Sequence, residues 1–128
     1  MLLSLDDDEG ICDLVRTMGD RAGFAVTATT SPAAFRDSLQ LLGPDVIVLD
    51  LQMPDIDGVQ MLRFLAERNA VASILLVSGT DERTIASAEQ YGLSRGLRML
   101  STLQKPFLPE DLLEKFLLAN AATSTSAL

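Results

Sequence analysis

Five short, mostly apolar runs alternate along the chain with segments whose apolar residues recur at helical spacing. The runs cover residues 2–5, 24–28, 46–49, 74–77 and 97–103. The third and fourth runs, VIVL and ILLV, contain no polar residue, which is typical of parallel strands buried on both faces. Apolar residues three or four positions apart, first Ile11, Leu14 and Met18, predict a helix after each run. The pattern therefore predicts five strands alternating with five helices, the fifth strand being less regular.

Capping and turn residues place the ends of several of these elements. Ser31 and Pro32 are typical of an N-cap followed by a proline in the first helical turn. Pro109 opens the last helix, and the small and hydroxyl residues of 119–128 resemble a linker. We therefore expect a folded domain over residues 1–118 and a C-terminal tail or linker over residues 119–128.

The alternation of strands and helices determines the fold class. Consecutive parallel strands need right-handed crossovers, and the crossover helices cover both faces of the sheet. The chain is therefore predicted to be a doubly wound α/β domain. In such sheets, ligands bind beyond the carboxyl ends of the strands, so residues that follow the strands are the candidates for chemistry.

Composition and charge exclude several kinds of site. The 128 residues fit one domain, and with no histidine and one cysteine they cannot form a His-based triad, a His or Cys zinc site or an internal disulfide. Cys12 is interpreted as a packing residue, as expected in the reducing cytoplasm. The net charge of -8 opposes direct binding to nucleic acids or anionic membranes. Neither a signal peptide nor a membrane-spanning run is predicted, and a cytoplasmic protein is expected.

Polar residues with possible chemical roles follow four of the five predicted strands. They are Asp6 and Asp7 after the first strand, Asp50 after the third, Ser78 after the fourth and Lys105 after the fifth. The carboxyl ends of parallel strands share one edge, so the three acids are expected to lie close together and to repel one another. Such a cluster favours a cation, and Mg²⁺ prefers hard oxygen ligands of this kind.

These residue types match the requirements of phosphoryl transfer. Asp50 is the best candidate for the nucleophile, because it ends a buried strand and carboxylates can form aspartyl phosphates. Ser78 and Lys105 could each contact a phosphoryl oxygen, and Pro106 could fix the backbone of the lysine through a cis Lys-Pro bond. Taken singly, each residue is also explained as an ordinary polar residue at the end of a strand.

The order and spacing of four motifs resemble the receiver domain of two-component response regulators over nearly the whole chain. The motifs are LLSLDDD, VIVLDLQMPDIDG, ILLVSGTDE and LQKPF. The resemblance implies a flavodoxin-like, five-stranded parallel sheet of order 2-1-3-4-5. It also implies that Asp50 accepts a phosphoryl group, in a Mg²⁺-dependent reaction, from a sensor histidine kinase or a phosphotransfer protein.

The resemblance also assigns roles to the other residues of the site. Asp6 and Asp7 correspond to the magnesium ligands, with Asp7 the more direct, and the backbone carbonyl of Gln52 adds a further oxygen. Ser78 corresponds to the switch hydroxyl and Lys105 to the phosphate-binding lysine. The supporting positions are Gly79, which leaves access to the acceptor open, Thr80, which flanks the site with Gln52, and Thr102 and Pro106.

Two departures from the common receiver concern its output side. Receivers often carry an aromatic residue three positions before the lysine, where this chain has Thr102, so coupling through an aromatic ring is not expected. Lys105 follows Ser78 by 27 positions, several more than is usual. A long segment of this kind resembles receivers that precede EAL-type cyclic-di-GMP phosphodiesterase domains. The expected partners are a fused or separate output domain and a second copy of the chain.

Three other functions compete with this interpretation. The sequence DIDG at residues 55–58 resembles the nucleophile motif of haloacid-dehalogenase-like phosphatases, but Gln52 to Pro54 separate it from the strand, and capping of the third helix explains Asp55 and Asp57 better. A flavin-binding module would need a loop that cradles phosphate, whereas the first loop here is DDDEG. A phosphorylation-independent protein-binding receiver is the third alternative.

Overall fold

The computed structural model of the chain describes residues 1–54 and 56–126. The strands are β1 (Leu2–Leu5), β2 (Val26–Thr29), β3 (Val46–Asp50), β4 (Gln52–Met53), β5 (Ile56–Asp57), β6 (Ser73–Ser78) and β7 (Arg98–Gln104). The helices are α1 (Glu9–Arg21), α2 (Pro32–Leu42), α3 (Gly58–Glu67), α4 (Glu82–Ser94) and α5 (Pro109–Ser126). Asp55, for which helix capping was predicted, lies outside the described residues.

Five strands form one parallel sheet of order β2-β1-β3-β6-β7. Counted in chain order without β4 and β5, this is the predicted 2-1-3-4-5 order, so the flavodoxin-like fold is confirmed. The two-residue strands β4 and β5 pair antiparallel within the predicted loop between β3 and α3. No sequence pattern indicated this small pair.

Helices cover both faces of the sheet and bury two apolar clusters. On one face, Leu3 and Leu5 of β1 pack with Phe35 of α2 and Met61 of α3. On the other face, Leu2 of β1 packs with residues of α1 and α5, including Val15 and Phe116. Successive side chains of a strand point to opposite faces, so the apolar run of β1 supplies both clusters. This burial makes the central strands rigid supports for the residues that follow them.

The edge strand β7 is irregular, as predicted. Met99 pairs with Ile74 and Ser101 pairs with Leu75, so Leu100 is an extra residue in β7. Before this strand, α4 continues to Ser94. Gly96, with φ of 81°, follows the helix and lets Leu97 donate its N–H to the carbonyl of Gly92.

The last helix extends past the boundary that was predicted at residue 118. The predicted tail continues α5 as far as Ser126, and Ala119 is buried. The side-chain amide of Asn120 donates to the carbonyl of Ala22 at the end of α1. The packed structure therefore includes at least the first two residues of the segment interpreted as a linker. Across the described residues, no helix combines the length and apolarity that crossing a membrane requires.

A buried hydroxyl in β1 provides a test of this packing. Ser4 is fully buried, and its Oγ has no hydrogen-bond partner among the described residues. We expect Ser4→Ala to raise the free energy of unfolding by about 1 kcal/mol, because a buried polar group without a partner is costly. Ser31→Ala should lower it by about 1 kcal/mol, since the Ser31 hydroxyl accepts the Ala34 N–H at the start of α2. Urea denaturation measures both changes, and a loss of stability in Ser4→Ala would contradict this account.

Candidate functional site

The carboxyl ends of the strands bring the predicted site residues to one edge of the sheet. Asp6 follows β1, Asp50 ends β3, and Lys105 follows β7. The neighbouring strands β1 and β3 are the most buried in the sheet, since every residue of each is buried. The acids at their ends are therefore held in place by the packing of the core below them.

Three carboxylates converge at this edge. One oxygen from each of Asp6, Asp7 and Asp50 lies within 4.8 Å of the other two. Asp6 is 1% exposed and Asp50 is 2% exposed, whereas Asp7 is exposed to solvent. The group therefore has two buried oxygen donors and one at its opening, an arrangement that can hold a metal ion.

Lys105 connects the two buried acids across the sheet. Its Nζ lies 3.0 Å from Asp6 Oδ2 and 3.4 Å from Asp50 Oδ2. The backbone N–H of Lys105 donates to the carbonyl of Ser78 at 2.7 Å, which fixes the start of the side chain beside β6. The lysine thus supplies one positive charge to a site that contains three carboxylates.

Backbone donors hold the remaining oxygens of the two buried acids. The N–H of Asp8 donates to Asp6 Oδ1 at 2.9 Å, and the N–H of Gln52 donates to Asp50 Oδ1 at 2.9 Å. Asp8 also caps α1, where its side chain accepts from Gly10 and Ile11. The contribution of Asp8 to the site was not predicted, although an acid directly before a helical pattern is a recognisable N-cap signal.

The surroundings of Asp50 change its protonation. Burial raises the pKa of the Asp50 carboxyl from its ordinary 3.8 to about 6; the Gln52 N–H opposes this rise, and the charge on Asp6 adds to it. Burial lowers the pKa of Lys105, but its contacts with Asp6 and Asp50 outweigh that effect and raise it above the usual 10.5. The lysine is therefore charged at neutral pH, whereas ionising Asp50 in the folded protein costs free energy.

Comparison with known proteins identifies the arrangement. The family model for the response regulator receiver domain matches residues 2–117. The chain belongs to this family. Its relatives support the function of a phosphoacceptor receiver in two-component signalling, a switch rather than a typical enzyme.

Individual relatives agree with this assignment. The chain is 32% identical over 117 residues to the transcriptional regulatory protein GltR of Pseudomonas aeruginosa, covering 89% of this chain and 46% of GltR. It is 30% identical over 103 residues to the transcriptional regulatory protein FixJ of Bradyrhizobium diazoefficiens, covering 80% of this chain and 48% of FixJ. The chain thus spans less than half the length of these two curated relatives.

A solved receiver-like structure matches both the fold and the sequence. The crystal structure of a response regulator from Colwellia psychrerythraea superposes with a TM-score of 0.81 at 39% identity. The match covers 94% of this chain and 96% of the Colwellia chain. The likeness therefore extends over nearly the whole chain.

The receiver's predicted switch hydroxyl lies at the same edge but is bonded to a neighbouring residue. Ser78 is fully buried, and its Oγ lies 2.9 Å from Thr80 Oγ1 and accepts the Thr80 N–H at 3.1 Å. A Cβ atom on Gly79 would lie 3.0 Å from Oε1 of Gln52, so that side chain rests beside the glycine. Ser78, Gly79, Thr80 and Gln52 therefore form one flank of the acid cluster.

The other predicted positions lie on different sides of the receiver. The Lys105-Pro106 bond is cis, as predicted. Thr102 lies away from the acids and lines a cavity of about 350 Å³ between α4 and β7. Asp57 caps α3 by accepting the N–H of Val59, which confirms the capping interpretation for this residue.

Proposed function

We propose that Asp50 is the phosphoacceptor and receives the phosphoryl group from a phosphohistidine of a sensor kinase or phosphotransfer protein. The observation that supports this most strongly is the position of its buried carboxylate, which ends β3 beside the Lys105 ammonium and two further acids. A rigid oxygen nucleophile beside a fixed positive charge suits attack on a phosphoryl group, whose transfer depends on positioning and electrostatic stabilisation.

The donor set fits a magnesium ion. Asp6, Asp7 and Asp50 offer three carboxylate oxygens within 4.8 Å of one another, and the backbone carbonyl of Gln52 is the proposed further ligand. These are the hard oxygen donors that Mg²⁺ prefers, and Asp7 faces solvent, where water can complete the coordination. When bound, the ion would offset the charge of the acids and of the phosphoryl oxygens.

The transfer is a displacement at phosphorus. An oxygen of the Asp50 carboxylate forms the new P–O bond while the P–N bond to the donor imidazole breaks and the nitrogen retains the electron pair. The Gln52 N–H holds the other oxygen of this carboxylate. Lys105, which faces Asp50 Oδ2 at 3.4 Å, then neutralises part of the charge on the transferred group.

The new dianion alters the flank that contains Ser78. Its hydroxyl is engaged by Thr80 and must leave that partner to donate to a phosphoryl oxygen. This movement displaces the residues between β6 and α4 and so changes the surface offered to a partner. The partner is a fused or separate output domain, or a second copy of the receiver.

Phosphorylation of the unaltered protein tests this proposal. We expect incubation with acetyl phosphate and Mg²⁺ to add one phosphoryl group per chain, as measured by intact mass, because the acceptor lies on the chain itself. Chelation of Mg²⁺ with EDTA should prevent the addition, since the acid cluster then lacks its cation. No addition from acetyl phosphate or from a phosphorylated histidine kinase would favour the phosphorylation-independent binding function.

A further inference from the structure

The loop after β6 is attached to the edge strand by a side chain to which no role has been assigned. We call residues 79–81 the switch loop. The Nε2 of Gln104, at the end of β7, donates to the carbonyl oxygen of Thr80 at 2.9 Å. The two residues are 24 positions apart in sequence, so the hydrogen bond closes the loop against a separate strand.

The same loop residue holds the Ser78 hydroxyl. The N–H and Oγ1 of Thr80 both lie within hydrogen-bonding distance of Ser78 Oγ, at 3.1 and 2.9 Å. The next residue, Asp81, caps α4 by accepting the N–H of Thr84 at 2.8 Å. Thr80 thus links the buried hydroxyl to β7 through its carbonyl, and to the start of α4 through the chain.

None of the described residues that line the space beside this link is aromatic. The cavity between α4 and β7 is lined by Thr102 and Gln104 on the strand side and by Ile85 and Ala86 on the helix side. The cavity has a volume of about 350 Å³, and Glu82 and Glu89 of α4 also line it. Movement of a ring at residue 102 therefore cannot transmit a change at Ser78 to α4 and β7, whereas the hydrogen bond of Gln104 is in a position to do so.

We propose that Gln104 is a positioning residue that holds the switch loop closed in the unphosphorylated receiver. With its carbonyl fixed to Gln104, Thr80 keeps its N–H and hydroxyl on Ser78. Ser78 can turn toward a phosphoryl group only when this hold is released. The proposal rests on the role of Ser78 proposed above, and it makes the hydrogen bond between Gln104 and Thr80 part of the cost of activation.

Variants at residue 104 distinguish the effect of the hydrogen-bond donor from the effect of side-chain size. Gln104→Met has a similar length but no donor, so it should bind beryllofluoride, an acyl phosphate mimic, about fivefold more tightly than the parent in the presence of Mg²⁺. That ratio corresponds to the free energy of one ordinary hydrogen bond, which the parent must break on activation and the variant lacks. Gln104→Lys restores a donor and should return the affinity to that of the parent. Gln60→Met, at an exposed position on α3, is the matched control and should bind as the parent does.

Titrations followed by the amide NMR signals of Gly79 and Thr80 measure these affinities. Equal affinity of Gln104→Met and a parent that binds beryllofluoride would overturn the role of Gln104 and leave the receiver chemistry intact. A parent that neither binds beryllofluoride nor accepts a phosphoryl group would instead refute the proposed function. One further measurement requires no variant: the side-chain amide signals of Gln104 should shift when the parent binds beryllofluoride, and unchanged signals would contradict the proposal.

Discussion

An Asp50→Asn variant is expected to lose phosphoryl incorporation from acetyl phosphate by about 100-fold or more, because a carboxamide oxygen is a poor nucleophile. The substitution keeps the shape of the side chain and an oxygen that can accept the Gln52 N–H. It also removes a negative charge from a buried position that is 2% exposed, so the fold should be retained. Intact mass after incubation with acetyl phosphate and Mg²⁺ measures the loss.

Two other acids serve as controls for this substitution. Asp37→Asn changes an exposed acid of α2 in the same chemical way and should label as the parent does. Asp57→Asn tests the second acid of the phosphatase-like motif, whose side chain caps α3 and should not be needed for labelling. Labelling that survives in Asp50→Asn and is lost in Asp57→Asn would show that the acceptor has been assigned to the wrong acid.

The position of Asp50 could be predicted from the sequence because burial leaves a simple pattern in a parallel sheet. A strand covered by helices on both faces carries apolar residues without alternation, and VIVL before Asp50 is such a run. The first polar residue after the run must then lie at the edge of the sheet. Asp6, Ser78 and Lys105 were predicted at that edge because they follow other strands of the same parallel sheet, and the structure brings all four together.

The link between Gln104 and Thr80 could not be predicted in this way. It depends on where β7 ends relative to β6, and the extra residue Leu100 shifts that register by one position. A bulge of this kind leaves no regular pattern in the sequence. The sequence showed that Thr102 departs from the family. It did not show that Gln104 contacts the switch loop.

The extent of α5 was underestimated for a related reason. The segment from Ala119 is rich in small and hydroxyl residues, which have little apolar surface to indicate a packed helix. Its first two residues are held by tertiary contacts: Ala119 is buried, and Asn120 bonds to the end of α1. Such contacts with a neighbouring helix override a weak local preference and are not visible in the local sequence.

The charge on Asp50 should make the metal-free protein less stable as the pH rises. Burial holds the folded-state pKa near 6, above the ordinary 3.8, so the folded protein binds this proton more tightly than the unfolded chain does. The stability contributed by the bound proton is present below pH 3.8 and is lost as the pH rises through 6. Asp50→Asn removes this loss. A rise of the pKa from 3.8 to about 6 corresponds to a free energy of unfolding that is about 2 to 3 kcal/mol higher in the variant than in the parent at pH 7.

Urea denaturation of both proteins in EDTA between pH 4 and pH 8 measures the effect as a difference, in which the titration of all other groups largely cancels. We expect Asp50→Asn and the parent to have similar free energies of unfolding near pH 4. Between pH 4 and about pH 7 the variant should become the more stable of the two, and above pH 7 the difference should stay constant. Added Mg²⁺ should narrow the gap at pH 7, because it stabilises the ionised acids of the parent more than those of the variant. A difference that does not change with pH would show that the Asp50 charge is already balanced by Lys105 without a metal ion.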